Sequence, residues 1–290
     1  MYDYLKEQQA RIRHIRIVAI PWRDNSEYDK PMSNKNTYNK KSVADYYSKE
    51  DKLQPPEAAI LESIKERLPQ MKMLDIGVGG GRTTLHFAEH TEEYVGVDYS
   101  EEMVAVCKRR FSGWSNKIAF AVCDARNMQM FEDDRFDFIL FSFNGIDSIA
   151  YEDRDRVLRE VQRVGKQGGW FAFSTHNLLG APELFKFHGF RGRSLVGAGK
   201  SAVKWVLLNF ICNKPKDVRD LPHKQYAIIN DGCHGFNLKN CYIRPSEQID
   251  RLQEGFENIR VFSLAGNEVN DSGELNSIKH SWLYYLCTIK

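Results

Sequence analysis

The residues best suited to chemistry in this 290-residue sequence are a run of glycines that follows an acid. The stretch MLDIGVGGGRTT, residues 73–84, carries Asp75 near its start, and four of the five positions 77–81 are glycine. A glycine-rich turn between a strand and a helix lets the backbone approach a ligand closely, and the helix N-terminus adds free N–H groups. The pattern therefore predicts a ligand cradle at residues 77–82.

Two kinds of ligand compete for this cradle. A dinucleotide fingerprint reads G-x-G-x-x-G, but the position three residues after Gly79 is Arg82 rather than Gly or Ala. The sequence reads G-x-G-x-G instead, after Asp75 at the end of an apolar strand. An acid beside the loop repels a pyrophosphate and suits a ligand with an ammonium group. The loop therefore favours such a ligand over a dinucleotide.

Two more acids follow apolar strands further along the chain. Asp98 ends EYVGVD and Asp124 ends KIAFAVCD. Taken alone, Asp98 has an ordinary explanation as a helix cap, and Asp124 as a solvated loop acid. Placed after successive strands, they share the carboxyl edge of a parallel sheet, where open α/β folds bind ligands.

The elements that must position these residues alternate regularly. Strands are predicted at KMLDI, EYVGVD, KIAFAVCD, RFDFILFSF and GGWFAFSTH, and helices at RTTLHFAEH, SEEMVAVCKRRF and EDRDRVLREVQRV. Ser100 is placed to cap the second of these helices. Nearly continuous apolar strands that alternate with helices predict a parallel sheet covered on both faces.

The sequence divides into four parts. Residues 1–35 are predicted to be an N-terminal extension, and residues 36–176 the ligand-binding core. The alternation stops after His176, so residues 177–240 are predicted to be an inserted lid over the carboxyl edge of the sheet, called the inserted segment below. Only KQYAIIND is strand-like within it. Residues 241–290, with a helix and two strands, are expected to complete the core sheet.

Composition excludes several classes of protein. The chain is 42% hydrophobic and 28% charged, with a formal net charge of +2, which fits a globular protein and gives no sign of a nucleic-acid partner. Its apolar runs are shorter than the roughly 20 residues that a membrane helix needs, so no membrane partner and a cytoplasmic location are expected. The six cysteines contain no C-x-x-C pair, so no metal site is predicted.

Taken together, these motifs resemble those of the class I S-adenosylmethionine-dependent methyltransferases. MLDIGVGGGRTT is similar to the family's first motif, GVDYSEEMV to its second, VCDARNMQM to its adenine-binding segment, FDFILFSFNGIDSI to its fourth-strand motif and SWLYYLCTIK to its last strand. The resemblance runs from about Tyr38 to Lys290, without the inserted segment. It implies a Rossmann-like, doubly wound, mostly parallel seven-stranded sheet whose final strand is antiparallel, and S-adenosyl-L-methionine as the cofactor.

The resemblance also implies roles for individual residues. Asp98 would bind both ribose hydroxyls, Asp124 would lie near the exocyclic amine, and either Tyr46 or Tyr47 would reach the methionine carboxylate. Gly80 departs from the family pattern and predicts an unusually flexible loop. The implied cofactor-binding residues are Tyr46, Asp75, Gly77, Gly79, Gly81, Arg82, Asp98, Tyr99, Met103, Asp124, Ala125, Phe141 and Phe143.

Methyl transfer to a hydroxyl benefits from a base that removes the proton. His176 is the first candidate, because loops after the fourth and fifth strands border the transferred methyl group in this fold. Asp147 would orient its imidazole, and His234, in NDGCHGF, is the second candidate. The alternative for His176 is a histidine that is merely hydrogen-bonded at a strand end.

The predicted function is methyl transfer to an oxygen or nitrogen of a small molecule such as a sugar or another metabolite. The lack of a Pro-Pro-Tyr fourth motif argues against amino-methylation of nucleic-acid bases. The alternative is an RNA-associated methyltransferase, or a cofactor-binding partner subunit without chemistry of its own, suggested by the basic N-terminus and by the basic residues 186–216. The sequence gives no oligomeric state.

The basic residues 186–216 have two possible interpretations. Seven Lys or Arg and no Asp or Glu lie there, so this interval is either a solvated lid surface or a wall that attracts an anionic substrate. SLVGAGKS, residues 194–201, nearly matches a phosphate-binding loop, but it begins with Ser194 and no apolar strand precedes it. A nucleotide site is therefore not predicted there.

Overall fold

A computed structural model describes residues 34–115, 117–187 and 195–290. Within these ranges, ten strands form one sheet. They are β1 Lys72–Ile76, β2 Glu93–Asp98, β3 Ile118–Val122, β4 Phe136–Phe141, β5 Gly165–Asn177, β6 Tyr226–Ile229, β7 Asn240–Ile243, β8 Phe256–Phe262, β9 Glu268–Val269 and β10 Trp282–Ile289. The predicted N-terminal extension lies almost wholly outside the described residues.

Of the helices that the structure describes, the first three precede β1 and the others lie between strands. They are α1 Lys35–Tyr38, α2 Lys41–Tyr47, α3 Pro55–Ile64, α4 Thr84–Phe87, α5 Glu101–Arg110, α6 Arg154–Val164, α7 Leu195–Val206, α8 Pro215–Asp220, α9 Pro245–Gln253 and α10 Ser272–Ser277. A π-helical turn, Leu207–Ile211, extends α7. Among the described residues, none of the helices combines the length and the apolar character needed to cross a membrane.

The strand order is β3-β2-β1-β4-β5-β10-β8-β9. The first five of these strands pair in parallel, whereas β10 runs antiparallel to both β5 and β8. This arrangement confirms the predicted mostly parallel, doubly wound sheet with an antiparallel final strand. In the part of the chain that the structure describes, the sheet has three more strands than the seven predicted, namely β6, β7 and β9.

Both faces of the sheet are covered, which is why its strands are almost wholly apolar. Leu74 and Ile76 of β1 point to one face, and Met73 points to the other. The first face packs against α6, and the second packs against α3 and α5. As predicted, the Ser100 side chain caps α5, because its Oγ accepts the N–H of Met103 at 3.3 Å. The cap fixes the start of this helix directly after Asp98.

The inserted segment attaches to the sheet beside His176. Its strand β6 pairs antiparallel with β7, and β7 pairs in parallel with β5 at His176 and Asn177. The pairing of β4 with β5 ends at Phe173, and β7 pairs with β5 beyond that point. Tyr242 of β7 therefore lies next to His176. Sequence reasoning missed β7, whose place in the sheet depends on its pairing with β6 and β5.

Candidate active site

The glycine loop after β1 is shaped by positive φ angles and close packing. Gly77, Gly79 and Gly81 have φ values of 64°, 55° and 82°. A Cβ atom at Gly77 would lie 2.8 Å from the Phe141 ring, and one at Gly81 would lie 2.3 Å from the Phe111 ring. Such contacts exclude a side chain, so the loop keeps the bare backbone that a ligand cradle requires.

Gly80 has a different role from the one predicted. A Cβ atom there would lie 2.4 Å from the carbonyl carbon of Tyr47 and 2.5 Å from the amide nitrogen of Ser48. The extra glycine therefore lets the end of α2 rest directly on the loop. The sequence prediction was loop flexibility, whereas the structure gives close packing as the reason for this glycine.

Asp98 ties the end of β2 to the glycine loop. Its Oδ2 accepts the N–H of Gly79 at 3.0 Å, and its Oδ1 accepts the N–H of Ser100 at 2.8 Å. Burial raises the pKa of Asp98 to about 6, although these backbone donors oppose the shift. A carboxylate offers about four lone-pair sites, so both oxygens retain capacity for ligand hydroxyls.

Asp75 and Arg82 face the protein interior instead of an open cleft. The Asp75 carboxylate is buried and accepts hydrogen bonds from the hydroxyls of Thr83 and Tyr94, and burial raises its pKa to about 6. Arg82 forms an ion pair with Glu57 of α3, with 2.6 Å between Nη2 and Oε1. These contacts stabilise the glycine loop. They do not direct either side chain towards a ligand, which is the role predicted for Asp75 and Arg82.

Six more predicted cofactor residues lie at the ends of β2, β3 and β4 or shortly after them. Asp124 forms an ion pair with Arg126 at 2.7 Å, and Ala125 beside it is buried. Met103 is buried in a cluster with Ala44 of α2. Tyr99 is half-buried, Phe141 is buried against the glycine loop and Phe143 is exposed with a φ of 53°.

An aromatic cluster covers this edge from the N-terminal side. Tyr38 has its ring centroid 6.1 Å from Tyr47 and from Tyr99. The Tyr47 hydroxyl lies 3.1 Å from Nε2 of His234, which sits on a kinked turn at residues 233–236. Burial lowers the pKa of His234, with Asp231 acting in the opposite direction. Tyr46 is 57% exposed, so Tyr47 is the inward-facing residue of the predicted pair.

Asp147 and His176 form a hydrogen-bonded pair at the carboxyl edge. The Asp147 carboxylate is buried, and its Oδ2 accepts both the backbone N–H and the Nδ1–H of His176, each at 2.6 Å. Its Oδ1 accepts Arg154 Nη2 at 2.8 Å and Thr175 Oγ1 at 2.5 Å. The Arg154 guanidinium is itself buried and balances the Asp147 charge.

This pairing fixes which nitrogen of His176 can act as a base. A carboxylate only accepts hydrogen bonds, so Nδ1 carries a proton and a neutral ring presents Nε2 as the acceptor. Nε2 lies 3.4 Å from Nδ2 of Asn144, and the ring stacks on Tyr242 with centroids 4.4 Å apart. The His176 side chain is 13% exposed, so the imidazole is held in place and remains reachable.

A cavity of about 510 Å³ lies beyond Tyr242. Its lining residues are Gly180, Ala181, Glu183, Leu184, Lys186, Phe187, Ser201, Lys204, Trp205, Leu208, Tyr242, Lys279 and Ser281. The Tyr242 ring is shared, because it lines the cavity and stacks on His176. Volumes of about 300–1,000 Å³ are typical of small-molecule sites. The inserted segment thus provides a pocket of that size one side chain away from His176.

Sequence reasoning missed two residues that hold His176. Arg154 lies in EDRDR, which looks solvent-exposed, but it stands three and four residues before Val157 and Leu158 on the buried face of α6. That spacing was the available signal for Arg154. Tyr242 had no comparable signal, because its place depends on the pairing of β7 with β5.

The amino-acid sequence is similar to those of known methyltransferases. Residues 73–169 match a family described as "Methyltransferase domain". The chain is 37% identical over 202 residues to the demethylmenaquinone methyltransferase of Staphylococcus saprophyticus, covering 67% of this chain and 74% of that protein. It is 35% identical over 118 residues to an uncharacterised methyltransferase of Bacillus subtilis, covering 40% of this chain and less than half, 45%, of that protein.

A solved structure agrees in fold. The S-adenosylmethionine-dependent methyltransferase of Clostridium acetobutylicum superposes with a TM-score of 0.56 at 15% identity, covering 88% of this chain and 99% of that one. At this identity the similarity concerns the fold alone.

Proposed function

This chain belongs to the class I S-adenosylmethionine-dependent methyltransferases, and on that premise we propose that it methylates an ionisable hydroxyl of a small molecule with His176 as the base. The observation that carries the proposal is the Asp147–His176 pair at the carboxyl edge, which leaves Nε2 as the acceptor nitrogen, 3.4 Å from Nδ2 of Asn144. A cavity lies on the other side of the Tyr242 ring. A histidine that only filled a strand end would not need a buried, charge-balanced carboxylate to hold its tautomer.

The loop and the neighbouring acids suit the cofactor. At Gly77 the Phe141 ring leaves no room for a side chain, and at Gly79 the positive φ disfavours one. The buried Asp98 carboxylate offers acceptors for two ribose hydroxyls. We assign Asp124 and Ala125 to the adenine side. Tyr47 is a better candidate than Tyr46 for the methionine carboxylate, because Tyr46 faces solvent.

S-Adenosylmethionine, when bound, supplies a methyl group on a positively charged sulfur. Nε2 of His176 accepts the proton of the acceptor hydroxyl, which leaves an oxygen nucleophile for the methyl group. Asp147 holds the ring so that Nε2 stays the acceptor, and it stabilises the imidazolium that forms. Arg154 pairs with the Asp147 carboxylate and holds it in place. The aromatic cluster and the inserted segment exclude water from the reacting groups.

The cavity supports an acceptor with an apolar body and an anionic group. Leu184, Trp205 and Leu208 supply apolar surface, while Lys186, Lys204 and Lys279 supply positive charge at its wall. Lys186 is already paired with Glu183 at 2.6 Å, which leaves the other two as the better anion partners. A carboxylate or phosphate on the acceptor would be attracted to this wall.

The similarity to a demethylmenaquinone methyltransferase favours a second acceptor, the ring carbon of a quinol. Removal of a quinol hydroxyl proton spreads the electron pair over the oxygen and ring carbons, so the same base serves carbon methylation. A neutral amine acceptor would need orientation only, with no base. The RNA-associated alternative and the partner-subunit alternative make no use of the His176 pair or the cavity. The cytoplasm remains the predicted compartment.

The test measures methyl transfer from labelled S-adenosylmethionine to a naphthol carboxylate, a naphthoquinol and an aliphatic amine. We expect label on a hydroxyl or quinol acceptor, and His176→Ala should lower kcat by about 10²-fold or more while S-adenosylhomocysteine affinity stays within about threefold. The loss should shrink at high pH, where the acceptor ionises unaided.

The matched control is His90→Ala, which removes an exposed histidine at the opposite edge of the sheet, before β2. It should leave kcat unchanged. Full kcat in His176→Ala on a hydroxyl acceptor would move the base to His234 or remove it from the mechanism. Binding of RNA that weakens steeply with salt, with no small-molecule methylation, would instead support the RNA-associated alternative.

A further inference from the structure

Helix α7 and its π-helical turn have an inner and an outer face, which meet where the rings of Trp205 and Phe210 touch edge-on with centroids 5.5 Å apart. The inner face carries Ser201, Trp205 and Leu208, which line the cavity. Trp205 anchors it, since its Nε1 donates to the carbonyl of Phe185 at 2.9 Å, and Leu208 is buried. The outer face carries four exposed apolar side chains, called the outer stripe here: Val203, Val206, Phe210 and Ile211, with 59%, 43%, 57% and 67% of their surface exposed.

The spacing of the outer stripe is that of one helix face. Its members stand at positions i, i+3, i+7 and i+8, so their side chains adjoin along the helix. Scattered apolar residues on a surface are ordinary, but a contiguous apolar patch beside polar groups marks an interaction site. The outer stripe has such an arrangement, and the inner face already has its own partners in the cavity wall.

The charged residues that flank the outer stripe along the chain, from residue 186 to residue 216, are all basic. Lys200, Lys214 and Lys216 are exposed and flank it along the chain. No Asp or Glu occurs in the sequence from residue 186 to residue 216. The nearest acids on either side, Glu183 and Asp217, are each paired with a lysine. The partner of this surface should therefore be anionic as well as apolar.

We propose that the outer stripe docks onto an anionic lipid surface, with its apolar side chains in the headgroup region and its lysines on the lipid phosphates. Helices with an apolar face flanked by lysines bind membranes in this way. A second copy of the chain is disfavoured as the occupant, because a symmetric contact would bring the two basic intervals together. The prediction of no membrane partner rested on the length of apolar runs, which bears on spanning and not on surface binding.

The experiment is sedimentation of the full-length protein with vesicles, and it does not depend on methyl transfer. The protein should bind vesicles of phosphatidylglycerol and phosphatidylcholine in equal parts, bind phosphatidylcholine alone weakly, and lose affinity as salt rises. Val203→Ser/Phe210→Ser should lower the partition coefficient by about tenfold or more. Lys200→Gln/Lys214→Gln should lower it by about 30-fold on the anionic vesicles.

Two control variants match these changes elsewhere on the surface. Ile228→Ser removes an exposed apolar side chain of β6, and Lys49→Gln/Lys65→Gln removes two exposed lysines near α2 and α3. Both should bind vesicles like the wild type. Circular dichroism and S-adenosylhomocysteine binding establish that every variant is folded.

Three outcomes would overturn the proposal. One is no vesicle binding by the wild type, and another is equal loss of binding in the control variants. The third is a concentration-dependent dimer without vesicle binding that Val203→Ser/Phe210→Ser dissolves, because a second copy would then occupy the outer stripe.

Discussion

Asp147 is the residue on which the orientation of His176 depends, and Asp147→Asn is the change that tests it. The carboxylate accepts four hydrogen bonds, from Arg154, from Thr175 and twice from His176. An asparagine offers one acceptor oxygen, and its NH₂ group can only donate. The asparagine NH₂ group would therefore face either Arg154 and Thr175 or the two N–H groups of His176, all of them donors, in a buried site.

The loss of charge matters more than the loss of hydrogen bonds. Arg154 is buried, and Asp147 is the partner in its ion pair. Removal of one member of a buried ion pair costs about 3–5 kcal/mol, because the other charge is left uncompensated. A domain has only about 5–15 kcal/mol of stability, so Asp147→Asn should be folded but clearly weakened. Adding Arg154→Met, which removes the stranded charge, should recover part of the loss.

The assay is urea unfolding followed by circular dichroism for the two single variants and the double variant. We expect the double variant to lose less than the sum of the single losses, by about 1–3 kcal/mol. Asp133→Asn is the matched control, because Asp133 is exposed and pairs with Arg163 at the surface, where a pair contributes at most about 1 kcal/mol. A loss below about 1 kcal/mol in Asp147→Asn, or strictly additive losses, would refute the reasoning.

Two further predictions concern the cofactor loop. Gly80→Ala would place a Cβ atom 2.4 Å from the Tyr47 backbone, so it should displace α2 and weaken the binding of S-adenosylhomocysteine by about tenfold. Gly113→Ala is the control, because the space around Gly113 is open. Equal affinity in the two variants would contradict the proposed effect of the contact between Gly80 and Tyr47. Burial raises the pKa of Asp98 to about 6, so the carboxylate is ionised at neutral and higher pH. The affinity for S-adenosylhomocysteine, measured by calorimetry, should therefore be constant in that range and fall as the pH drops through about 6. Asp98→Asn should weaken binding and remove the pH dependence, and a flat profile in the wild type would count against Asp98 as the ribose ligand.

The sheet could be predicted because its signal is local and repeated. Each central strand is buried on both faces, so each appears as an apolar run, and the helices between them carry one apolar side. Ser100 was predictable as a cap from its place before an acidic first turn. Of the short strands β6, β7 and β9, only β6 left a recognisable pattern, and β7 depends on a distant partner, β5.

The positions of the site residues were predictable, whereas their partners were not. Parallel strands end at one edge, so residues that follow them, such as Asp98, Asp147 and His176, must gather there. Which of them hydrogen-bond is decided by tertiary packing. Arg154 balances Asp147 from a helix that looked exposed, and Gly80 serves a contact with α2 that no local pattern encodes.

The inserted segment and the base cannot be treated as independent parts. His176 is held on its Nδ1 side by Asp147 and on its ring face by Tyr242, and Trp282 of β10 lies edge-on at 6.0 Å. The Tyr242 hydroxyl donates to Asp231 at 3.1 Å, and both residues belong to the hairpin formed by β6, β7 and the turn between them. A shift of that hairpin would move one wall of the cavity and the stacking partner of the imidazole together. For this reason the pocket for the acceptor and the orientation of the proposed base are set by the same few contacts.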